Sequence, residues 1–442
     1  MRFLSALLLY AVAAARLAAG VIIFSLMACR YRTWPVAGIL VALLAAFPLA
    51  WAPLWAVYRK FRGKPAPLVP ARLESWKNRG LRNRPRHGLS IRTAYAGGLL
   101  LWWTCLLAYF YGAFLFYFHA DSSLPRTENT VVLWSQTDRY TPYEGALSDD
   151  GRYLIVTHAR VTPHGGVSRF DLDTGAAVHI TLDDEHAYYP TIFENDHQVL
   201  VTSSDFNTLA FRAVSGGTIY RFSLDPFALI DTESCSRPCP IRIVDGPGER
   251  NYLIQKDRRS AIIPFDGIKQ PCAPEHEAWT VPKSVVGFEN MEWMTSPPDH
   301  AWLTGEFGGQ ICLADLSALE IERCVTVGIG VWGTALDRRR HQLWVSRPLL
   351  YKVEVRRADT GELIDEIPQK GKPRPLAIDR ESRRLFVGHF VSGNVDVVDL
   401  ETRRVVRSFG TGRSLRRLIV DDRRNRLIAI SHAGIFVVPL DA

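Results

Sequence analysis

Three long apolar runs dominate the first quarter of the chain. They cover residues 3–29, 36–58 and 94–118. Because about 20 consecutive apolar residues are enough to cross the hydrocarbon core of a bilayer as a helix, each run is long enough to span a membrane. The pattern therefore predicts an α-helical membrane anchor of three transmembrane helices within residues 1–120, followed by a short linker at 121–128.

From residue 129 onward the pattern changes to short segments in which apolar and polar residues alternate. Such segments, bounded by turns rich in Gly, Asn, Asp and Ser, are typical of β-strands. The stretch 374–412 contains four of them: PLAID, LFVGHF, VDVVDL and RVVRSFGTG. Similar units recur at a spacing of roughly 40–52 residues, which is the period expected for the blades of a propeller. The sequence therefore predicts seven units of four strands each.

The seventh unit lacks a fourth strand after its third, which ends near Ala442. Residues 129–136 (NTVVLWSQ) form an additional strand before the first unit. A strand from one end of the chain that completes the last blade closes the ring and leaves no blade edge open. The expected fold is an all-β seven-bladed propeller over residues 129–442, closed by strand 129–136.

The repeats LIVTHA, LFVGHF with GNVDVVDLETRRVV, and PLAID resemble those of the YVTN-type propellers found among bacterial surface proteins. The resemblance extends over about residues 129–442 and is best in units one, six and seven. It implies the propeller fold together with functions that range from interaction modules and sensors to subunits of periplasmic enzymes. A repeat of this kind specifies a fold strongly and a function poorly.

Charge is divided unevenly between the two parts. Residues 1–118 hold fifteen Lys or Arg and one acid, Glu74, whereas the remainder holds 38 basic and 44 acidic residues. The loop at 59–93 alone contains eleven of the basic residues, so the positive-inside rule places it in the cytoplasm. We therefore expect a cytoplasmic N-terminus and an extracytoplasmic propeller, on the periplasmic side of a bacterial cytoplasmic (inner) membrane. Since the propeller part is slightly acidic, the basic pI does not indicate nucleic-acid binding.

Charged and aromatic residues inside the predicted spans indicate a partner within the bilayer. Arg16 lies at the centre of the first span, where an ionisable residue is costly and usually faces a partner. The third span is rich in aromatic residues, among them Trp102, Trp103, Tyr109 and Tyr111. We predict that these residues contact other membrane-protein subunits; snorkelling of Arg16 and contact of the aromatic rings with lipid are the alternatives.

Candidate binding residues cluster where the first strand of each unit meets the channel. Alignment of the units on PLAID brings aromatic, basic and acidic residues to two neighbouring levels of that channel. Trp, Tyr and Arg are the side chains that most often anchor a partner, and Arg also suits a small anionic ligand; a solvated loop face is the alternative. The candidates are Tyr143, Glu144, Tyr189, Glu292, Trp332, Arg374, Arg416 and Arg417.

Cysteines in the propeller part predict disulfides, which an extracytoplasmic compartment permits. Cys312 and Cys324 lie on the third and fourth strands of unit four, equally far from the turn, so they are expected to face each other. A second bridge is predicted between Cys235 and Cys239 in CSRPC, which leaves Cys272 unpaired.

No familiar catalytic, nucleotide-binding or haem-attachment motif occurs, and no cofactor is predicted. His158, His389 and His432 occupy equivalent positions in three units. Because equivalent positions in adjacent blades lie on the order of 10 Å apart, the three histidines are too distant to share a metal ion. The sequence favours a non-enzymatic accessory or scaffold subunit of a membrane complex. The alternative is a ligand-binding sensor, or an enzyme such as a lactonase-like hydrolase, that uses the channel mouth.

Overall fold

The computed structural model describes residues 122–440 apart from short internal segments. These segments are 136–139, 161–164, 183–186, 194, 196, 208–211, 237–238, 247–249, 257–259, 267–270, 273–277, 283–284, 286–287, 295–296, 306–308, 329 and 380–382. The three predicted spans lie outside the described residues, as do Arg16, Trp102, Trp103, Tyr109 and Tyr111. Within the described part of the chain, no helix is long and apolar enough to cross a membrane.

The described strands form seven four-stranded antiparallel sheets, which confirms the predicted seven-bladed all-β propeller. The first strand, β1 (Val131–Ser135), belongs to the last blade. Blade one contains β2 (Tyr140–Leu147), β3 (Tyr153–Arg160), β4 (Gly166–Asp171) and β5 (Ala177–Thr181). Blade two contains β6 (Ala187–Phe193), β7 (Gln198–Asn207), β8 (Arg212–Ser223) and β9 (Ala228–Cys235). Blade three contains β10 (Cys239–Asp245), β11 (Arg250–Lys256), β12 (Ser260–Asp266) and the short β13 (Trp279–Thr280).

The remaining blades follow the same order. Blade four contains β14 (Phe288–Trp293), β15 (His300–Gly305), β16 (Gln310–Asp315) and β17 (Glu320–Thr326). Blade five contains β18 (Thr334–Asp337), β19 (Gln342–Arg347), β20 (Lys352–Arg357) and β21 (Leu363–Pro368). Blade six contains β22 (Pro373–Asp379), β23 (Arg384–His389), β24 (Asn394–Asp399) and β25 (Val405–Gly410). Blade seven contains β26 (Leu415–Asp421), β27 (Arg426–Ser431) and β28 (Gly434–Pro439), with β1 as its fourth strand.

The ring is closed by pairing between the two ends of the described chain. β1 runs antiparallel to β28, with Val131 opposite Val437 and Ser135 opposite Gly434. This is the strand that the sequence assigns to the vacancy in unit seven. The edge of β28 is thereby hydrogen-bonded and is not available for pairing with another chain.

The core lies between the blades, and the middle strands explain why the sequence shows uninterrupted apolar runs. Successive side chains of a strand point to opposite faces of the sheet. In β3, Leu154 and Val156 pack with Ile428 of blade seven, whereas Ile155 packs with Val199 of blade two. Because both faces of a blade are covered, all three residues are fully buried.

Aspartates close many of the turns, as expected from their positions in the repeats. The Asp399 carboxylate accepts hydrogen bonds from the backbone amides of Glu401 and Thr402. Asp421 accepts one from the Arg424 amide and also pairs with the Arg426 side chain at 2.8 Å. These carboxylates stabilise turns.

Two disulfides are present in the described residues, one of them different from the prediction. Cys312 and Cys324 are bonded across the β16–β17 hairpin, as the sequence predicts. Cys235 is bonded to Cys272, so the predicted bridge between Cys235 and Cys239 is wrong. Cys235 ends β9, and the chain after β12 returns to that place, a proximity that sequence spacing could not reveal.

Candidate functional site

The central channel is lined by the first strand of each blade. All seven first strands begin at the same end of the propeller, where the turns between second and third strands also lie; we call this end the mouth face. Next to it is a cavity of about 110 Å³. Its lining includes Glu144, Tyr189, Arg242, Glu292, Trp332, Arg374, Arg416 and Arg417. A larger cavity of about 500 Å³ shares Glu144, Tyr189, Arg242 and Arg417 and extends to the opposite end, along blades seven, one, two and three.

Irregular pairing in the first strands places side chains at the mouth. The register between first and second strands shifts within blade one between Pro142 and Glu144, within blade six between Pro373 and Leu376, and within blade seven between Leu415 and Arg417. Residues inside such a bulge leave the regular ladder, and bulges commonly redirect a side chain. Tyr143 and Arg416 lie inside the bulges of blades one and seven, and Arg374 lies with Pro375 inside that of blade six.

Aromatic rings hold two arginines over the mouth. The Arg374 guanidinium lies 3.8 Å from the centroid of Trp332 and 4.7 Å from that of Phe390. The Arg416 guanidinium lies 4.3 Å from the centroid of Tyr143. Contacts of this kind are attractive because the ring face carries a negative partial charge. They orient both cations, and the rings restrict their movement.

Two further arginines lie deeper in the channel. Arg242, on β10, lies 5.0 Å from the centroid of Tyr189. Arg417 approaches Glu144 with a distance of 3.9 Å between Nε and the carboxylate oxygen, which is long for an ion pair. The smaller cavity is therefore lined by four arginines against the two carboxyls Glu144 and Glu292, so positive charge is in excess at the mouth. The larger cavity differs, since its far end is lined by the acids Asp149, Asp245, Asp421 and Asp422.

Burial in the channel disfavours the charged form of both acids. It raises the pKa of the Glu144 carboxyl, although the charges of Arg417 and Arg242 oppose that shift. Burial also raises the pKa of Glu292, opposed by the hydrogen bond that its carboxylate accepts from the Leu336 amide at 3.1 Å and by the same two arginines. Protonation of either acid increases the net positive charge of the channel.

His432 adjoins this site and is kept neutral. Burial, with the charges of Arg416 and Arg374, holds its pKa well below the ordinary value. The Arg416 Nε donates to His432 Nε2 at 3.1 Å. The imidazole thus accepts a hydrogen bond and fixes the Arg416 side chain.

The other two histidines of the repeat column have structural partners in their own blades. His158 Nε2 lies 2.7 Å from the Ser168 hydroxyl, and His389 Nε2 lies 2.8 Å from the Asp396 carboxylate. No group of three potential metal ligands occurs among the described residues. The three histidines therefore act separately in their blades, each with a hydrogen-bonding partner.

The structure brings the eight channel residues predicted from sequence to one region. Seven line the smaller cavity, and the eighth, Tyr143, contacts Arg416. Their role in binding stays a prediction.

Sequence reasoning missed Arg242 and Phe390. The alignment misses Arg242 by one position, because the turn between the first and second strands is one residue longer in blade three than in blade seven. Asp245 pairs with Asn251, six residues later, whereas Asp421 pairs with Arg426, five residues later. Phe390 follows a second strand, a position that the alignment of first strands does not include.

Comparison with known proteins agrees with the class of fold. A solved structure of a catalytically inactive virginiamycin B lyase from Staphylococcus aureus with quinupristin is similar to this chain, with a TM-score of 0.55 and 14% identity. The match covers 71% of this chain and 99% of the lyase chain. At that identity the likeness shows the propeller fold alone. No family model and no curated protein matches the sequence.

Proposed function

We propose that this protein is a membrane-anchored, extracytoplasmic β-propeller that serves as an accessory or scaffold subunit of a membrane protein complex. In this proposal the mouth of the channel binds an acidic group of the partner. The observation that carries the proposal is the placement of Arg374 and Arg416 over aromatic rings at the channel mouth.

The chemistry of the mouth favours a carboxylate-bearing partner. A guanidinium offers several N–H donors in a planar fork that suits a carboxylate. Arg374 and Arg416 are half-buried rather than fully solvated, so an incoming anion loses less binding energy to water and to side-chain ordering. Trp, Tyr and Arg together are the composition of an interface hot spot.

The membrane location is proposed from the sequence. Its support is the three apolar runs and the basic loop at 59–93, which by the positive-inside rule favour an extracytoplasmic propeller. The two disulfides are consistent with that side of the membrane, since disulfides persist in oxidising compartments. The resemblance to YVTN-type repeats agrees with a bacterial envelope protein.

Affinity purification of the full-length chain from native membranes in mild detergent tests the scaffold function. We expect a defined membrane protein to co-purify with the unaltered chain, and its yield to fall about tenfold with Arg374→Gln and Arg416→Gln combined, because charge-assisted hydrogen bonds are lost. Arg357→Gln is the matched control, since Arg357 forms an exposed pair with Asp359 far from the channel. A monomeric chain without partners, or equal yields from all variants, would contradict the proposal.

An enzyme acting at the channel mouth is a second candidate function. The specific observation in its favour is that Glu144 and Glu292, with pKa values raised by burial, adjoin the same two arginines, Arg242 and Arg417. A buried carboxyl of raised pKa is suited to act as a general acid. This candidate predicts hydrolysis of a lactone substrate that Glu144→Gln abolishes while Arg357→Gln does not. Failure of a lactone panel to give turnover would count against it.

A further inference from the structure

The mouth face carries exposed apolar side chains on the turns of blades five and six. The turn at Pro348–Leu350 joins β19 to β20, and the Gln369 amide donates to the Tyr351 carbonyl at 2.7 Å, which fixes the turn beside the end of β21. Leu349 is 61% exposed, Leu350 53% and Tyr351 47%. Val391, on the equivalent turn of blade six, is 44% exposed. Four large apolar side chains thus project from one side of one face.

Two lysines adjoin these apolar tips. The segments 344–353 and 369–376 contain Arg and Lys but no acid. Because Arg347 and Lys352 pair with Glu354, the positive charge of this surface comes from Lys370 and Lys372. Lys370 is exposed, and the Lys372 ammonium lies 6.0 Å from the centroid of Tyr351. Exposed apolar residues among lysines are the composition of a surface that binds at the interface of an anionic membrane. We call Leu349, Leu350, Tyr351, Val391, Lys370 and Lys372 the docking patch.

The described chain begins on the same face, beside the docking patch. The Ser123 amide donates to the Ser392 carbonyl at 3.1 Å, and the Gly410 amide donates to the Pro125 carbonyl at 2.8 Å. The Asn394 side-chain amide donates a hydrogen bond to the Ser123 hydroxyl and accepts one from the Leu124 backbone amide. Residues 122–125 are therefore held against blade six, only a few positions after the third predicted span ends at 118. If the chain leaves the membrane at the end of that span, as proposed above, the first described residues after it lie on the mouth face.

We propose that the docking patch rests on the anionic lipid surface of the membrane, so that the mouth face is turned toward the bilayer. The apolar tips enter the headgroup region, and Lys370 and Lys372 lie at the level of the phosphates. A partner reaching the channel mouth is then itself a membrane protein, whereas the larger cavity opens at the end facing away. The inference rests on the membrane location proposed above and is independent of the ligand of the channel.

Photo-crosslinking of the full-length chain in nanodiscs that contain phosphatidylglycerol tests this orientation. Leu350 is replaced by benzoylphenylalanine, and lipid adducts are measured by mass spectrometry after irradiation. Ile230 is the matched control position: it is 50% exposed, but it lies on the outer strand of blade two near the opposite end. Val391 serves as a second reporter should the first variant fold poorly. We expect lipid adducts at positions 350 and 391 and none at 230.

Reversal of the two lysine charges tests whether they bind the lipid phosphates. Lys370→Glu with Lys372→Glu, in the chain that carries the reporter at 350, is expected to lower the lipid adduct roughly fivefold. Flotation of the same variants after reconstitution into liposomes of neutral phosphatidylcholine separates the two proposals, because the docking patch is proposed to need anionic lipid and the membrane anchor is not. A chain that floats but gives no adduct at 350 and 391, or gives equal adducts at 230 and 350, overturns the docking orientation. A chain that does not float overturns the anchor and the docking orientation together.

Discussion

At the scale of residues, the mouth of the channel depends on how its cations are held. Arg374 is flanked by Trp332 and Phe390, and Arg416 lies between the ring of Tyr143 and the imidazole of His432. An exposed arginine loses considerable rotamer entropy when it binds. Here the aromatic and imidazole partners have already ordered both side chains, which is the physical reason to assign binding to them rather than to the many surface arginines.

A buried histidine makes stability depend on pH. Burial lowers the pKa of His158 to about 3, against an ordinary value of 6.5. Between those values the unfolded chain binds a proton that the folded chain does not, so stability falls as the pH falls. From pH 7 to pH 5 this histidine should cost about 2 kcal/mol. We expect the unaltered chain to lose that much more unfolding free energy than His158→Gln in denaturant titrations at the two pH values; equal losses would contradict the assignment.

At the scale of elements, each blade is a hairpin meander fixed by its turns and by packing against both neighbours. The Trp302 indole of blade four donates to the Ala358 carbonyl at the third-to-fourth-strand turn of blade five, at 2.8 Å. Because a hydrogen bond is directional, this link orients the two blades more specifically than apolar packing does. The disulfide between Cys312 and Cys324 fastens the outer strand of blade four to its third strand.

Removal of that disulfide tests its contribution to blade four. A bridge closing a loop of this length is expected to stabilise the folded chain by about 3 kcal/mol, mainly by restricting the unfolded chain. Cys312→Ala with Cys324→Ala should therefore lower the unfolding free energy by about that amount, measured by denaturant titration under non-reducing conditions. Peptide mapping of the same sample should still recover Cys235 joined to Cys272. An unchanged stability would show that the bridge constrains little.

The strand pattern predicted the elements well because it reflects local physics. The mainly apolar sequences of β23 and β24 follow directly from burial of both faces of each strand, and an Asp at a strand end marks its turn. Pairings between distant segments were harder to foresee. The bond from Cys235 to Cys272 and the position of Arg242 depend on insertions in blades two and three, where the repeat is least regular. Phe390 enters the site from the turn after a second strand, which an alignment of first strands does not include.

At the scale of the whole molecule, the ring gathers seven similar strands around one axis. Residues at equivalent positions of different blades thereby come together and form one cluster in the channel. Arg374 and Arg416 lie in successive blades, whereas Glu144 and Glu292 come from blades one and four, and all of them line the same small cavity. The sequence could place each residue at a level of the channel. It already gave three arginines, Arg374, Arg416 and Arg417, against those two acids, but it did not show the fourth, Arg242, which the cavity adds.

The central claim is that the channel mouth binds an acidic group, and calorimetric titration of the full-length chain with a triglutamate peptide tests it most directly. Triglutamine and trilysine peptides are the controls for charge. The account predicts that triglutamate binds the unaltered chain and the Arg357→Gln control equally, and binds the chain with Arg374→Gln and Arg416→Gln about tenfold more weakly. Affinity for triglutamate that is unchanged by loss of the two mouth arginines, or no greater than affinity for triglutamine, would contradict it.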